Sequence, residues 1–359
     1  MKAARLHAPR DVRVEDIPAP EPGPGMALVR TRAVGLCGSD LHYYREGRIG
    51  DSLAAQPLVL GHEFSADVVA LGPGLDRDSE TPLRPGMAVA VDPAIPCGAC
   101  EHCLAGPPNV CPRVRFAGTP PTDGALQEYL AWPAHLLHPL PAGMSADVGA
   151  LLEPLGVAIH ALDLARVRLA DTVAVLGAGP IGLLAIRLAN LSGAVRVFAT
   201  DVLPERVAAA RAFGAHDAIL TSSAAGASSR GALAADPVAW VRERTGGRGV
   251  DVVIECAGAD ETPRQAVEMA RPGGTVVLVG IPSDDRVEFG AAQARRKGLT
   301  IKLCRRMRHV YPRAIALVQA GLVDLPRLVS HRFRLEDAPR AFQVLDQGDG
   351  GVLKAVIEC

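Results

Sequence analysis

Thr172-Val173-Ala174-Val175-Leu176-Gly177-Ala178-Gly179-Pro180-Ile181-Gly182 decides the fold of this chain. The opening residues form a short apolar run of the kind that fills a buried parallel strand. That run feeds directly into a Gly-x-Gly-x-x-Gly turn and an apolar helix reaching Asn190. Gly177 permits the tight turn, Gly179 lets backbone approach a pyrophosphate, and Gly182 allows close helix–strand packing. Pro180 suits the first helical turn, where its missing N–H costs nothing. The helix N-terminus offers free N–H groups and a positive dipole to phosphate. The next strand, Val195–Thr200, ends at Asp201, 19 residues beyond Gly182. A carboxylate there can accept from both ribose hydroxyls of an adenosine and would repel a 2′-phosphate, which favours NAD over NADP. Arg206 is close enough in sequence to clamp the adenine side. Asp201 can equally cap the helix expected at Pro204–Phe213. Two further strand runs, Val250–Glu255 and Thr275–Gly280, alternate with helical stretches. That alternation predicts an α/β Rossmann domain, a doubly wound parallel sheet.

The rest of the chain is too long for one such domain: 359 residues suggest two. A hydrophobic content of 48% with 21% charged residues is ordinary for a globular protein. A net charge of −1 leaves no electrostatic footprint for nucleic acid or an anionic membrane. The N-terminus lacks the apolar core of a secretory signal. The longest apolar run, about 173–191, is broken by glycines, Pro180 and Arg187, so it reads as strand, turn and helix. Eight cysteines without a signal predict metal binding in a reducing cytoplasm over a disulfide framework.

Residues 1–35 alternate apolar and polar with Pro and Gly breaks, and strand-like patches continue at Ala66–Leu71 and Ala88–Asp92. No long helical period precedes about residue 145, so the first part is expected to be β-rich. Gly72–Pro85 reads as a surface loop and Ser222–Ala235 as a flexible connection. Cys97, Cys100 and Cys103 follow one another at x2 spacing, and Cys111 follows after seven residues. Tight turns of this kind can point four sulfurs at one centre and close a tetrahedral, structural zinc shell. An iron–sulfur cluster is the competing metal reading, and two disulfides the third. Cys37 stands apart from these, in Cys37-Gly38-Ser39-Asp40-Leu41-His42, with Gly61-His62-Glu63 downstream. A lone Cys, a His and a carboxylate well separated in sequence suit an open, catalytic metal site better than a closed one. Leu151–Leu162 looks like a helix with Glu153 in an otherwise apolar opening turn.

Taken together, these motifs resemble the zinc-dependent medium-chain dehydrogenases, and among them the sorbitol (polyol) dehydrogenase group. The likeness is most specific in Cys37–Tyr44, Gly47–Asp51, Gly61–Glu63, Glu153-Pro154-Leu155 and Gly177–Gly182. It implies a GroES-like catalytic domain over residues 1–149 and 290–359, with a Rossmann domain over 150–289 inserted between. It implies Cys37, His62 and Glu63 around a catalytic zinc, with Glu153 beside or transiently on it, and one further zinc on the four-cysteine loop. Ser39 and His42 would transfer a proton. Tyr43, Glu153 and Arg306 would meet substrate. Ile181, Asp201, Arg206, Val279, Gly280, Ile281 and the Cys304–Arg306 strand, Arg305 included, would touch NAD. Met307 replaces the aromatic usual after that arginine. The implied substrate is a small-molecule polyol such as sorbitol or xylitol. The arginines at 305, 306 and 308 favour a sugar acid of the L-idonate type as the alternative, with L-threonine or 2,3-butanediol third. A homotetramer is implied, and no nucleic-acid or membrane partner.

Overall fold

The computed structural model describes residues 1–75, 83–222, 235–348 and 351–359. Half of the Gly72–Pro85 loop and most of the Ser222–Ala235 connection lie outside the described residues. The chain divides into two compact units, Met1–Pro154 with Arg308–Cys359, and Leu155–Met307.

The first unit is β-rich. Among the described residues its main sheet runs Leu137–Pro139, Ala88–Val91, Glu63–Leu71, Met26–Gly35, Lys354–Glu358, Val329–Arg334, and Tyr129–Pro133 also pairs with Met26–Gly35. The central strand Met26–Gly35 alternates inward apolar and outward polar residues, with Ala27, Val29 and Ala33 buried and Arg30 and Arg32 exposed. The C-terminal strand Lys354–Glu358 pairs antiparallel with it, placing Val356 opposite Gly35. The C-terminal strand therefore joins a sheet whose other members, apart from Val329–Arg334, come from residues 26–139. Its core gathers Tyr43, Tyr44, Phe64, Trp132 and Phe342, with Tyr44 stacked on Phe342 at 5.2 Å. Among the described residues two short α-helices precede residue 145, where no long one was expected: Gly38–Glu46, closed by Gly47 in the left-handed region, and the five-residue Glu101–Ala105.

The second unit is a six-stranded parallel sheet in the spatial order Asp217–Leu220, Arg196–Asp201, Thr172–Leu176, Val250–Glu255, Ala270–Leu278, Thr300–Leu303. Numbered along the chain, that order is 3-2-1-4-5-6, the doubly wound Rossmann arrangement. Its strand order reverses beside Thr172–Leu176, so the ligand crevice lies where Gly177 begins the glycine turn.

Two boundaries move from the sequence expectation. The parallel-sheet unit extends past 289 to Met307, because helix Ala291–Lys297 leads into Thr300–Leu303, which pairs parallel with Ala270–Leu278. A four-residue strand with one exposed apolar side chain carries too little pattern to be read in sequence. The helix around Glu153 begins at Ala146 and runs to Ala165, so Glu153 sits in its interior and not in an opening turn. Pro154 inside that helix was the misleading signal: it removes one backbone hydrogen bond without ending the helix. By length and composition this helix could cross a membrane, yet 83% of its apolar window is buried within the protein.

Candidate active site

Strand Met26–Gly35 delivers Leu36 and Cys37 to the N-terminus of helix Gly38–Glu46, where Cys37 takes an extended backbone. Asp40, in the first helical turn, reaches back to accept from the Cys37 N–H at 2.9 Å. Its other oxygen accepts from Gly61 N–H at 3.1 Å and lies 3.5 Å from His62 Nδ1. One buried carboxylate thus ties together the two segments carrying Cys37 and His62. Gly61 has φ +91°, and a side chain there would press on Val34 and Leu126. The next residue but one, Glu63, opens strand Glu63–Leu71 directly opposite Gly35. Each of Cys37, His62 and Glu63 thereby offers one donor atom, and those atoms lie within 4.8 Å of one another.

Electrostatics at this cluster follow from burial. His62 and Glu63 are buried, at 7% and 1% exposure. Burial disfavours a charged imidazole, but Asp40 and the Cys37 sulfur more than offset it and raise His62 well above its ordinary value. Lys354 from the C-terminal strand, 3% exposed, donates to both Glu63 oxygens at 2.8 and 2.7 Å. Gly35 leaves room for the pair, since a Cβ there would collide with Glu63 Oε2. Glu153 is buried close enough to feel His62, Glu63 and Lys354, and burial pushes its carboxyl up to about 8. A cation beside it would pull that value back down. A thiolate, an imidazole and a carboxylate on strand and helix ends, the cysteine partly exposed, fit a catalytic zinc.

Ser39 follows Cys37 on the helix, and its Oγ lies 3.4 Å from His62 Nε2. His42, one turn on, is half-buried, and desolvation lowers its pKa below the ordinary 6.5. Tyr43 points into the core with 2% exposure, and its hydroxyl donates to Ser52 Oγ at 2.8 Å.

The four-cysteine loop forms a second cluster: Cys97, Cys100, Cys103 and Cys111 also converge within 4.8 Å. Cys100 caps the short helix Glu101–Ala105 that carries Cys103, and Cys111 follows the turn Pro108–Val110. The sulfurs of Cys100 and Cys103 are 3.4 Å apart, and those of Cys97 and Cys103 4.0 Å. Disulfide sulfurs would be about 2 Å apart, whereas four ligands at about 2.3 Å from a tetrahedral zinc stand roughly 3.8 Å from each other. The donor set fits zinc. Backbone N–H groups, led by Ala99, and the Arg113 guanidinium, 3.3 Å from the sulfur, draw the Cys97 thiol down to about 5. Thiolate is the form a metal takes.

In the parallel-sheet unit, a side chain on Gly177 (φ +86°) would press on the Ala257 backbone, and one on Gly182 would collide with the Gly177 carbonyl. Both glycines are therefore required by close backbone approach, as the motif implies. Gly179 precedes the helix Pro180–Leu191 as its cap, and Ile181 lies in its first turn. Asp201 accepts from Ala178 N–H at 2.7 Å with one oxygen and from Leu203 N–H at 2.9 Å with the other. Leu203, not Asp201, caps the following helix. Each Asp201 oxygen keeps a further lone pair for a ribose hydroxyl. The Arg206 Nε is buried with no partner, and its Nη1 lies 3.8 Å from the space above Gly179. An orphaned cationic donor beside a glycine turn fits a dinucleotide. Val279 and Gly280 donate to the Glu255 carbonyl, and Ile281 is exposed beside Gly258. Cys304–Arg306 is not strand: the strand ends at Leu303, and Arg306 has φ +53°. Arg305 is exposed and Arg306 half-buried.

Sequence reasoning missed Asp40, Lys354, Gly35 and Glu255. Asp40 was legible as an acid at the third helical position, a capping signal. Lys354 left no signal in the sequence beyond a charge at the start of a largely apolar strand. Glu255 accepts from Ala257 N–H, Gly258 N–H and the Thr262 hydroxyl, each at 2.8 Å, and so pins the loop facing Gly177.

With this geometry in place, comparison with known proteins is informative. The Alcohol dehydrogenase GroES-like domain model matches residues 23–142, and the Zinc-binding dehydrogenase model matches 180–320. The chain is 38% identical to the sorbitol dehydrogenase of Bos taurus over 354 residues, covering 99% of this chain and 95% of that one. Alcohol dehydrogenase TADH from Thermus sp. ATN1 superposes with a TM-score of 0.86 at 34% identity, covering 100% and 99% of the two chains. L-idonate 5-dehydrogenase from Escherichia coli str. K-12 superposes with a TM-score of 0.85 at 27% identity, covering 100% and 98%.

Proposed function

We propose, from the premise that this chain belongs to the zinc-dependent medium-chain dehydrogenases and to their sorbitol dehydrogenase-like group, that it oxidises a secondary alcohol of a polyol to a ketose with NAD as hydride acceptor. The convergence of Cys37, His62 and Glu63, with Ser39 beside His62, carries this reading. Cys37, His62 and Glu63 would hold a zinc, which would supply Lewis-acid polarisation of a substrate hydroxyl, and the Gly177–Gly182 turn with Asp201 and Arg206 would hold NAD, which would supply the hydride acceptor. Asp40 orients His62 and the Cys37 backbone. Ser39 takes the hydroxyl proton and hands it toward His42, whose lowered pKa leaves it neutral and able to accept near pH 7. Glu153 holds a neighbouring hydroxyl of the polyol. Asp201 receives the ribose hydroxyls and Arg206 the adenosine side. Cys97, Cys100, Cys103 and Cys111 hold a structural zinc that crosslinks their loop.

A sugar acid of the L-idonate type is the second reading, favoured by Arg305 and Arg306 next to the expected coenzyme site. The test is formation of reduced coenzyme, followed by near-ultraviolet absorbance, on sorbitol, xylitol, L-idonate, L-threonine and 2,3-butanediol with NAD and with NADP. Turnover of sorbitol or xylitol with NAD supports the polyol reading. Turnover of L-idonate alone moves the arginines into the substrate pocket, and silence on all five removes both readings.

A further inference from the structure

Lys354 lies on the last strand of the chain, 3% exposed, among groups that leave its ammonium nothing else to do. An ammonium has three protons. They go to Glu63 Oε1 at 2.8 Å, Glu63 Oε2 at 2.7 Å and the Leu36 carbonyl at 3.0 Å. Leu36 precedes Cys37, so one side chain is fastened both to the backbone at Cys37 and to the Glu63 carboxylate. The surroundings are built for this contact. Gly35 stands opposite both Glu63 and Val356, and any Cβ there would collide with the carboxylate. A buried ion pair gains little stability over an apolar pair of the same volume, so stability alone is a poor account of it.

We infer that Lys354 is a positioning residue that keeps Glu63 a weak, exchangeable donor to the catalytic metal. The inference rests on reading Cys37, His62 and Glu63 as that metal's site. After accepting from Lys354, each Glu63 oxygen keeps one lone pair, so the carboxylate can face Cys37 and His62 without releasing the lysine. Its electron density is then shared with a full positive charge at hydrogen-bond distance. Charge bookkeeping points the same way. A divalent ion, one thiolate, the Glu63 carboxylate and the buried Asp40 carboxylate behind His62 leave one negative charge in excess, and the ammonium returns the centre to neutral, where less negative charge opposes polarisation of a hydroxyl. Glu63 therefore yields its place readily to an incoming hydroxyl, then returns.

The experiment uses full-length protein loaded with Co²⁺, and Cys37→Ser protein as the spectral blank, so that the four-cysteine site subtracts out. Lys354→Met removes the charge at similar volume, and Lys354→Arg keeps it. In Lys354→Met, Glu63 becomes a permanent ligand: release of Co²⁺ to a chelator slows, the visible bands weaken as coordination rises, and kcat falls, whereas release faster than wild type, the ordinary result of losing a partner of a metal ligand, overturns the inference. Lys354→Arg restores the wild-type spectrum and release rate. Folded Lys354→Met with a wild-type spectrum and release rate overturns the inference. Should that variant not fold, Glu63→Gln is compared with Lys354→Met/Glu63→Gln, which buries no unpaired carboxylate. Equal release rates in these two support action through Glu63, and unequal rates overturn it. If wild-type and Cys37→Ser spectra coincide, the metal-site reading itself has failed, which is a different result from either.

Discussion

Asp40 ties together the two segments that carry the candidate metal donors Cys37 and His62. Its carboxylate meets Cys37 N–H, Gly61 N–H and the edge of His62 from inside the protein. Asp40→Asn keeps the shape but removes the charge that steadies the imidazole. Metal affinity and kcat should each fall about 10- to 100-fold, read by competition with a chromophoric chelator and by turnover. His42 makes a prediction in pH. Burial lowers its pKa, so it stays neutral to a lower pH than a free imidazole would. The acid limb of kcat/KM should fall below the ordinary 6.5, and His42→Gln should abolish that limb. A limb unchanged in His42→Gln would remove His42 from the proton path. The residue scale is also where sequence was most informative. Cys37, His62, Glu63 and the four loop cysteines were legible because zinc accepts few residue types at few spacings. Lys354 was not, because its partner lies 291 residues away and a single buried lysine carries no periodic signature.

Among elements, strand Leu137–Pro139 and helix Tyr311–Gln319 meet through a stacked pair. The rings of His138 and Tyr311 lie 4.3 Å apart and 8° from parallel, and Tyr311 donates to the Val91 carbonyl. Burial lowers His138 to about 4. Between the ordinary 6.5 and about 4 the unfolded chain binds a proton that the folded chain refuses. Stability is thus fully present above 6.5 and declines as pH falls through that window, by up to about 3 kcal/mol. His138→Phe should flatten this part of the curve of stability against pH, measured by urea unfolding. The cysteine loop tests itself separately. Cys100→Ser should release one metal and lower Tm while leaving the Cys37 cluster loaded, because the two clusters share no residue. Four strands of the parallel sheet were legible from their apolar runs, and the glycine turn from its spacing, whereas the four-residue edge strand Asp217–Leu220 was not. The start of helix Ala146–Ala165 and the strand Thr300–Leu303 were not. In the first, Pro154 imitates a helix start, and in the second the pattern is too short.

At the scale of the whole molecule, the fold class followed from one strand–turn–helix stretch and the family from two metal-type clusters beside it. The pairing of the last strand with Met26–Gly35 was reachable through the family resemblance alone, since nothing local tells a terminal strand which sheet it will join. That pairing carries Lys354 to Glu63, so removing residues 354–359 should abolish metal binding at Cys37 along with the sheet edge, as metal analysis would show. The account rests on one claim: that a metal held by Cys37, His62 and Glu63 drives hydride transfer. The most direct test is timed dialysis against a chelator, with zinc per chain, circular dichroism and polyol turnover measured on each sample. Turnover should fall in proportion to the first zinc lost, with the fold and a second, slower zinc retained, and return when zinc is restored. Full turnover after that first zinc has gone would contradict the account.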